Sequence, residues 1–355
     1  MVAEMKVRLW RHDTEMLDPV NAAGQRHERR ERLFLEVEFG GVRGYGEVDP
    51  QPHSLNGDPG VEDVLDELVG LVIPQIRQMT EREGAPPSWS RIGRMAGPRS
   101  ASNTAVALVE MALLDRELRA AHRTIEDLWP PIIDTPLQVT VSMIGEDPWR
   151  IPADAVRVRV KARPGTPSSA ALERLSTLGV PVLLDLNCSA SGDDEVIELV
   201  RTVGRVAEVS AVEQPYAPGN VIDHARLADR LEVALSIDEG VRSLGDVNQI
   251  ARYRAAELVC VKPARVGGLA NARTIIARAR EAGLRPYLGG FFESPYARTV
   301  HRALARQGVW EPSDLGLVAT RTADVDDEVE VVPGAFGLAP SAALLEQSVA
   351  VTFFD

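Results

Sequence analysis

VRVRVK (156–161), VPVLLDLN (180–187), EVSAVEQP (208–215), VALSIDE (233–239) and ELVCVKP (257–263) decide the fold of this chain. Each is a short run rich in β-branched residues, the composition of a strand. Between and beyond them lie amphipathic stretches such as DDEVIELVRTVGRVAE (193–208) and LANARTIIARAREAG (269–283), with apolar residues at helical spacing. Strand alternating with helix implies a parallel sheet. QVTVSM (138–143), RPYLGG (285–290) and DLGLVA (314–319) bring the strands to eight, and eight such units imply closure into a barrel. The expected class is α/β, a (β/α)7β-type TIM barrel. The link IGEDPWRIPADA (144–155) carries two prolines, so the first barrel helix is expected to shrink to a turn.

Upstream the rhythm differs. VRLW (7–10) and RLFLEVEFGGVRGYGEV (32–48) alternate apolar and polar residues, with Gly40–Gly41 where a hairpin would turn. Helical patterns follow at 61–79 and 103–122, then Pro130, Pro131 and Pro136 punctuate the chain. The expected division is an α+β capping domain over 1–132, a TIM-like barrel with the active site over 133–321, and a C-terminal segment, 322–355, returning to the cap.

The 355 residues are 45% hydrophobic, enough for a sizeable core. With 39 basic and 52 acidic residues the formal charge is −13, which argues against a nucleic-acid partner. No GxxxxGK[ST] phosphate loop occurs. The start, MVAEMKVRLWRHDTEM, lacks the apolar stretch of a signal peptide, and no segment is apolar for long enough to span a membrane, so a cytoplasmic location is expected. Cys188 and Cys260 have no zinc-site neighbours and are expected to be free thiols, Cys188 as a small packing residue.

The polar residues at the strand ends carry the chemistry. Lys161, Asp185, Glu213, Asp238 and Lys262 each close a strand, 24 to 28 residues apart, one strand–helix unit each time. In a parallel barrel these tips open onto one face, where the active site lies. Three carboxylates crowded there would repel unless a cation sat among them. All-oxygen ligation favours a hard ion, Mg²⁺ before Mn²⁺. Asn187 points to the same side as Asp185. Lys161 and Lys262, four strands apart, face each other across the mouth. A metal ion, Arg159 and desolvation would each lower their pKa toward that of a useful base. Two opposed lysines could each handle a proton at a bound carbon while the metal holds a substrate carboxylate.

With these residues placed, the chain resembles the enolase superfamily, in its muconate-cycloisomerase-like branch. The motifs are VRVKARPG (158–165), LDLN (184–187), VEQP (212–215), SIDE (236–239), VKPARVGG (261–268) and GGFFES (289–294), with GYGEV (44–48) and VALVEMALLDRELRAAH (106–122) in the cap. The resemblance implies Asp185, Glu213 and Asp238 as Mg²⁺ ligands, Lys161 and Lys262 as the acid/base pair, and a homo-oligomer acting on a small-molecule carboxylate. No histidine ends a strand, which counts against the mandelate-racemase-like branch; His301 is expected on a helix surface. One departure stands out: the family's Lys-x-Lys reads Arg159-Val160-Lys161 here. A guanidinium can hold a carboxylate but not act as a base.

The branch contains N-acylamino acid racemases, o-succinylbenzoate synthases, dipeptide epimerases and lactone cycloisomerases. Dipeptide epimerases often carry Asp-x-Asp near the last strand; this chain has Asp314 but Gly316. Retention of both lysines fits racemisation or epimerisation of an N-acylamino acid best, with dehydration of the o-succinylbenzoate type, dipeptide epimerisation and cycloisomerisation as alternatives. Two other classes are a barrel that binds a carboxylate without turnover and a Schiff-base lysine enzyme. Specificity is expected from the loops 11–28 and 49–60, with His53, Arg11 and Arg26 as candidate contacts. Glu293 and Ser294 border the metal face, although Ser294–Pro295 also reads as a helix start.

Overall fold

A computed structural model describes residues 4–22, 25–93, 102–143, 149, 151–165, 167–315, 320–321, 329–331 and 335–354. Three antiparallel strands open the chain: β1 (Lys6–Ala22), β2 (Gln25–Phe39) and β3 (Val42–Val48). Gly40 and Gly41 turn the β2–β3 hairpin with φ of 62° and 77°, a conformation that glycine adopts without steric cost. Of the expected loop at 11–28, residues 11–22 and 25–28 are instead strand. Its alternation continues past Trp10, and β1 pairs with β2 from Lys6↔Glu38 out to Ala22↔Gln25, with an irregularity between Glu15 and Val20.

The helix Asn103–Ala120 lies across this sheet, with its Ala and Leu residues buried on nearly every side. GYGEV explains how it fits so closely. A Cβ on Gly44 would sit 2.2 Å from the backbone nitrogen of Arg116, and one on Gly46 would sit 2.2 Å from the carbonyl of Leu108. Only glycine lets the helix backbone rest on the strand.

Seven parallel strands then form one curled sheet in chain order: β4 (Leu137–Ser142), β5 (Ala155–Lys161), β6 (Val182–Asp185), β7 (Val209–Glu213), β8 (Ala234–Ile237), β9 (Leu258–Val261) and β10 (Arg285–Leu288). The segment at Ser313–Asp314 joins the two edges. Gln138 donates its amide to the Ser313 carbonyl at 3.0 Å, and Asp314 donates its own to the Leu288 carbonyl at 2.9 Å. The sheet thereby closes where the eighth strand was expected; 316–319 of that run lie outside the described residues, as do 144–148 and 150 of the 144–155 link.

VRVRVK shows why the barrel reads as it does. Val158 and Val160 are wholly buried in the main apolar core. Arg157, Arg159 and Lys161 alternate onto the other face and are also buried. Arg157 is satisfied at depth by Gln138 Oε1 at 2.8 Å and the Pro312 carbonyl at 2.9 Å. The chain finally returns to its start: β11 (Thr320–Arg321) and β14 (Val349–Phe354) both pair antiparallel with β1, while β12 (Val329–Val331) pairs with β13 (Leu338–Pro340).

Candidate active site

The strand tips converge. Asp185, Glu213 and Asp238 are completely buried, and Lys161 and Lys262 are nearly so. Lys161 Nζ donates to Asp185, and Lys262 Nζ donates to Asp238 Oδ2 at 2.9 Å. Both lysines line one cavity of roughly 90 Å³, together with Arg159, Asn187, Asp314 and residues of the cap, among them Asn56 and Asp58.

The backbone fixes the carboxylates. Asn187 and Cys188, just after Asp185, and Gln214, just after Glu213, all have positive φ. Such strain persists where surrounding contacts hold it in place. Gln214 shows how: its Oε1 accepts from the amides of Asp238 (2.9 Å) and Gly240 (3.1 Å), while its Nε2 donates to the Tyr216 carbonyl at 2.8 Å. One side chain thus ties the tip of β7 to that of β8.

Arg159 holds the centre. Its Nη2 is 2.6 Å from Asp185 Oδ2 and 3.2 Å from Asp238 Oδ2, and it also donates to Glu213 Oε1. Nε reaches Glu213 Oε2 at 3.1 Å. Nη1 lies 3.6 Å from Asp314 Oδ2, which accepts from Thr140 Oγ1 at 2.7 Å. Arg265 adds a second guanidinium, bridging Asp238 and Asp58.

These contacts set the charges. Burial pushes the Glu213 carboxyl up, as do Asp185 and Asp238, and it comes to about 7 although Arg159 opposes the rise. Burial also acts against ionised Asp185, but Arg159 and Lys161 outweigh it and hold that carboxyl below its ordinary range. Asp238 is held far below the ordinary range because Arg265, Lys262 and Arg159 overcome its burial. For Lys262, burial acts to lower the pKa, as do Arg265 and Arg159, but contact with Asp238 prevails and raises it.

Several expected contacts fall elsewhere. His53 is exposed and does not line the cavity. Arg11 pairs with Glu31 and Glu62 at the surface, and Arg26 is paired with Glu28. Ser294 caps the helix Pro295–Ala305, accepting from the Tyr296 amide at 3.2 Å and donating to Glu47. Glu293 is buried beside Arg298 at 3.3 Å rather than facing the cavity. His301 is buried, not superficial. It falls between Val300 and Leu304 on the inward face of that helix, and burial lowers its pKa to about 4.

Three residues escaped the sequence reading. Glu239 lines the cavity and accepts from Asn187 Nδ2 at 3.1 Å. Strict alternation would turn it away from Asp238, but β8 ends at Ile237 and the rule ends with it. Arg265 returns to the mouth because Pro263–Val266 forms one helical turn after Lys262. Tyr287, inside the barrel, donates to Glu213 Oε2, and its oxygen lies 2.9 Å from Ser236 Oγ.

A family model described as Enolase C-terminal domain-like matches residues 154–339. The chain belongs to the enolase superfamily. Relatives include the N-succinylamino acid racemase of an Amycolatopsis species, 26% identical over 316 residues, covering 84% of this chain and 82% of that protein. The o-succinylbenzoate synthase of Bacillus subtilis is 23% identical over 316 residues, covering 86% and 82%. In fold, this superfamily member superposes on the N-succinyl Arg/Lys racemase structure from Bacillus cereus with a TM-score of 0.81 at 18% identity, covering 100% of this chain and 99% of that one. No helix among the described residues is long and apolar enough to cross a membrane.

Superfamily members bind Mg²⁺, and the donors here suit such an ion. Buried oxygens of Glu213 and Asp238 lie within 4.8 Å of one another and of Cys260 Sγ, and Asp185 joins them around Arg159. Burial drives the Cys260 thiol far up, so it stays protonated and is a poor partner for a hard cation. The carboxylates are the fitting ligands. Both cysteines are free.

Proposed function

We propose that the protein removes the proton beside a substrate carboxylate and returns it, racemising or epimerising an N-acylamino acid. The observation that carries this reading is the shared cavity of Lys161, the last residue of β5, and Lys262, the residue after β9, with three buried carboxylates between them in strand order. One ammonium and one neutral amine on opposite faces of a carbon are what exchange of configuration needs: one lysine accepts the α-proton and the other delivers a proton to the opposite face. Asp185, Glu213 and Asp238 would hold Mg²⁺ or Mn²⁺. When bound, the ion supplies positive charge that offsets the charge developing on the substrate carboxylate as the proton leaves.

The chain's other residues position and enclose. Asn187 is fixed by Glu239 with its amide facing the cavity. The cap loop is latched over the mouth by Arg265, whose Nε reaches Asp58 Oδ1 at 2.8 Å, and by Arg242, which donates to the carbonyls of Asn56 and Gly57. Closing the mouth excludes water and strengthens each charge interaction inside.

The test is α-proton exchange followed by NMR in D2O with Mg²⁺, over N-acylamino acids and dipeptides, with EDTA and Lys161→Ala as controls. Metal-dependent exchange on N-acylamino acids that the variant loses from one enantiomer supports the proposal. Exchange confined to dipeptides moves the substrate class. No exchange with any substrate, despite bound metal, rejects racemisation and leaves dehydration of the kind carried out by the B. subtilis relative.

A further inference from the structure

The three carboxylates that would ligate a metal already enclose a cation of the chain's own. Arg159 Nη2 touches all three, and the guanidinium spreads two nitrogens over Glu213. Lys161 and Lys262 add one positive charge each, and Arg265 a further one that it shares with Asp58, so the three carboxylates already face cations of the chain's own. One arginine nitrogen thus stands within 3.2 Å of an oxygen of every carboxylate, the place that a shared ion would take. A second resting place for the arginine is at hand. Asp314, anchored by Thr140, faces its other terminal nitrogen at 3.6 Å and lies on the segment that closes the barrel.

We propose that Arg159 and the divalent ion exclude one another at the carboxylate trio, so that metal enters only as the guanidinium swings toward Asp314. The inference rests on the proposed metal-dependent function. Arginine, rather than lysine, makes the competition strong, because its planar fork engages two carboxylates at once and never loses its proton. Metal affinity is thereby set by a side chain of the second strand and by its landing site on the last. The same side chain also partners Glu213, while Lys161 pairs with Asp185 and Lys262 and Arg265 with Asp238.

The experiment is Mn²⁺ binding to the full-length, metal-stripped protein, followed by electron paramagnetic resonance, with thermal unfolding on the same samples. Arg159→Met is expected to bind Mn²⁺ about tenfold or more tightly than wild type. It should melt lower than wild type without metal and regain the difference when Mg²⁺ is added. Arg159→Lys, which keeps a charge but loses the fork, should fall between the two and reads the effect if the methionine variant does not fold. Asp314→Asn should bind Mn²⁺ several-fold more weakly than wild type. Equal affinity in wild type, Arg159→Lys and Arg159→Met would overturn the competition while leaving the metal-dependent reading intact. Absence of binding in every form, folded by circular dichroism, would overturn both.

Discussion

Two buried charge clusters each contribute to the lining of the same cavity, and the proposed chemistry uses only one of them. At the barrel mouth, Arg159, Lys161 and Lys262 meet Asp185, Glu213 and Asp238. In the cap, Arg30 and Arg32 meet Asp49 and Glu47. Both clusters are almost completely buried, and each holds a glutamate pushed up by burial to about 7, Glu213 in one and Glu47 in the other. The difference is where the polar atoms point. In the cap they are spent on the fold: Glu47 accepts from Ser294 at the start of a helix, and Arg32 donates to the Phe292 carbonyl at 2.9 Å. Of these four, Arg30 alone lines the cavity, whereas both lysines of the mouth cluster do. Burial and perturbed titration therefore do not distinguish a catalytic cluster from a structural one; amines that open onto a cavity do.

Separate losses should break the comparison open. Replacing Lys161 or Lys262 by Ala should lower turnover about 10³-fold or more, the scale of a lost general base. The unfolding midpoint, read by urea titration, should change little beside that loss. In the cap the pattern reverses. Arg32→Met takes the cation away from Glu47, leaving Asp49 to Arg30, and should cost about 3–5 kcal/mol of stability, with activity per folded molecule within about twofold of wild type. If that variant lost activity while keeping its stability, the cap cluster would be functional and the contrast wrong.

Glu110 sharpens the point. It caps the helix Leu269–Glu281, accepting from the amides of Leu269 and Ala270; burial outweighs these bonds and raises its carboxyl to about 8, above Glu213 and Glu47. The folded state keeps this proton between the ordinary 4.5 and about 8, where the unfolded chain has released it. Native protein thus binds more protons across that window, and stability falls as pH rises through it. Urea titrations at pH 5 and pH 8 should show the decline, and Glu110→Gln should flatten it. The smallest expected effect is at Asn187. Asn187→Ala removes an amide held by Glu239 and should raise KM a few-fold, about 1 kcal/mol or less, with kcat nearly unchanged.

The sequence shows this division unevenly. The mouth cluster is legible because each strand run ends in its charged residue, and parallel strands carry such ends to one face whatever the intervening helices do. VRVRVK, LDLN, VEQP and VKP needed no long-range information to be placed. The cap cluster is hidden: Arg30, Arg32, Glu47 and Asp49 read as exposed charges of a two-sided sheet until the barrel loop at Phe292 covers them. Arg11 reads as a mouth contact from a loop but stands on β1, paired with β2, and within the 49–60 loop the cavity contacts fall to Asn56 and Asp58 rather than His53. Arg159 was legible as a departure in type but not in place. That it enters the carboxylate trio, rather than waiting for a substrate, follows from the balance of charge in three dimensions.

The most direct test of the two-sided chemistry uses each enantiomer of a substrate separately, in D2O with Mg²⁺, with wild type, Lys161→Ala and Lys262→Ala. The account predicts that wild type exchanges the α-proton of both enantiomers, that each variant loses exchange from one enantiomer, and that the two variants lose opposite ones. Loss of the same enantiomer in both variants, or retention of both enantiomers in either, would contradict a base on each face of the carbon.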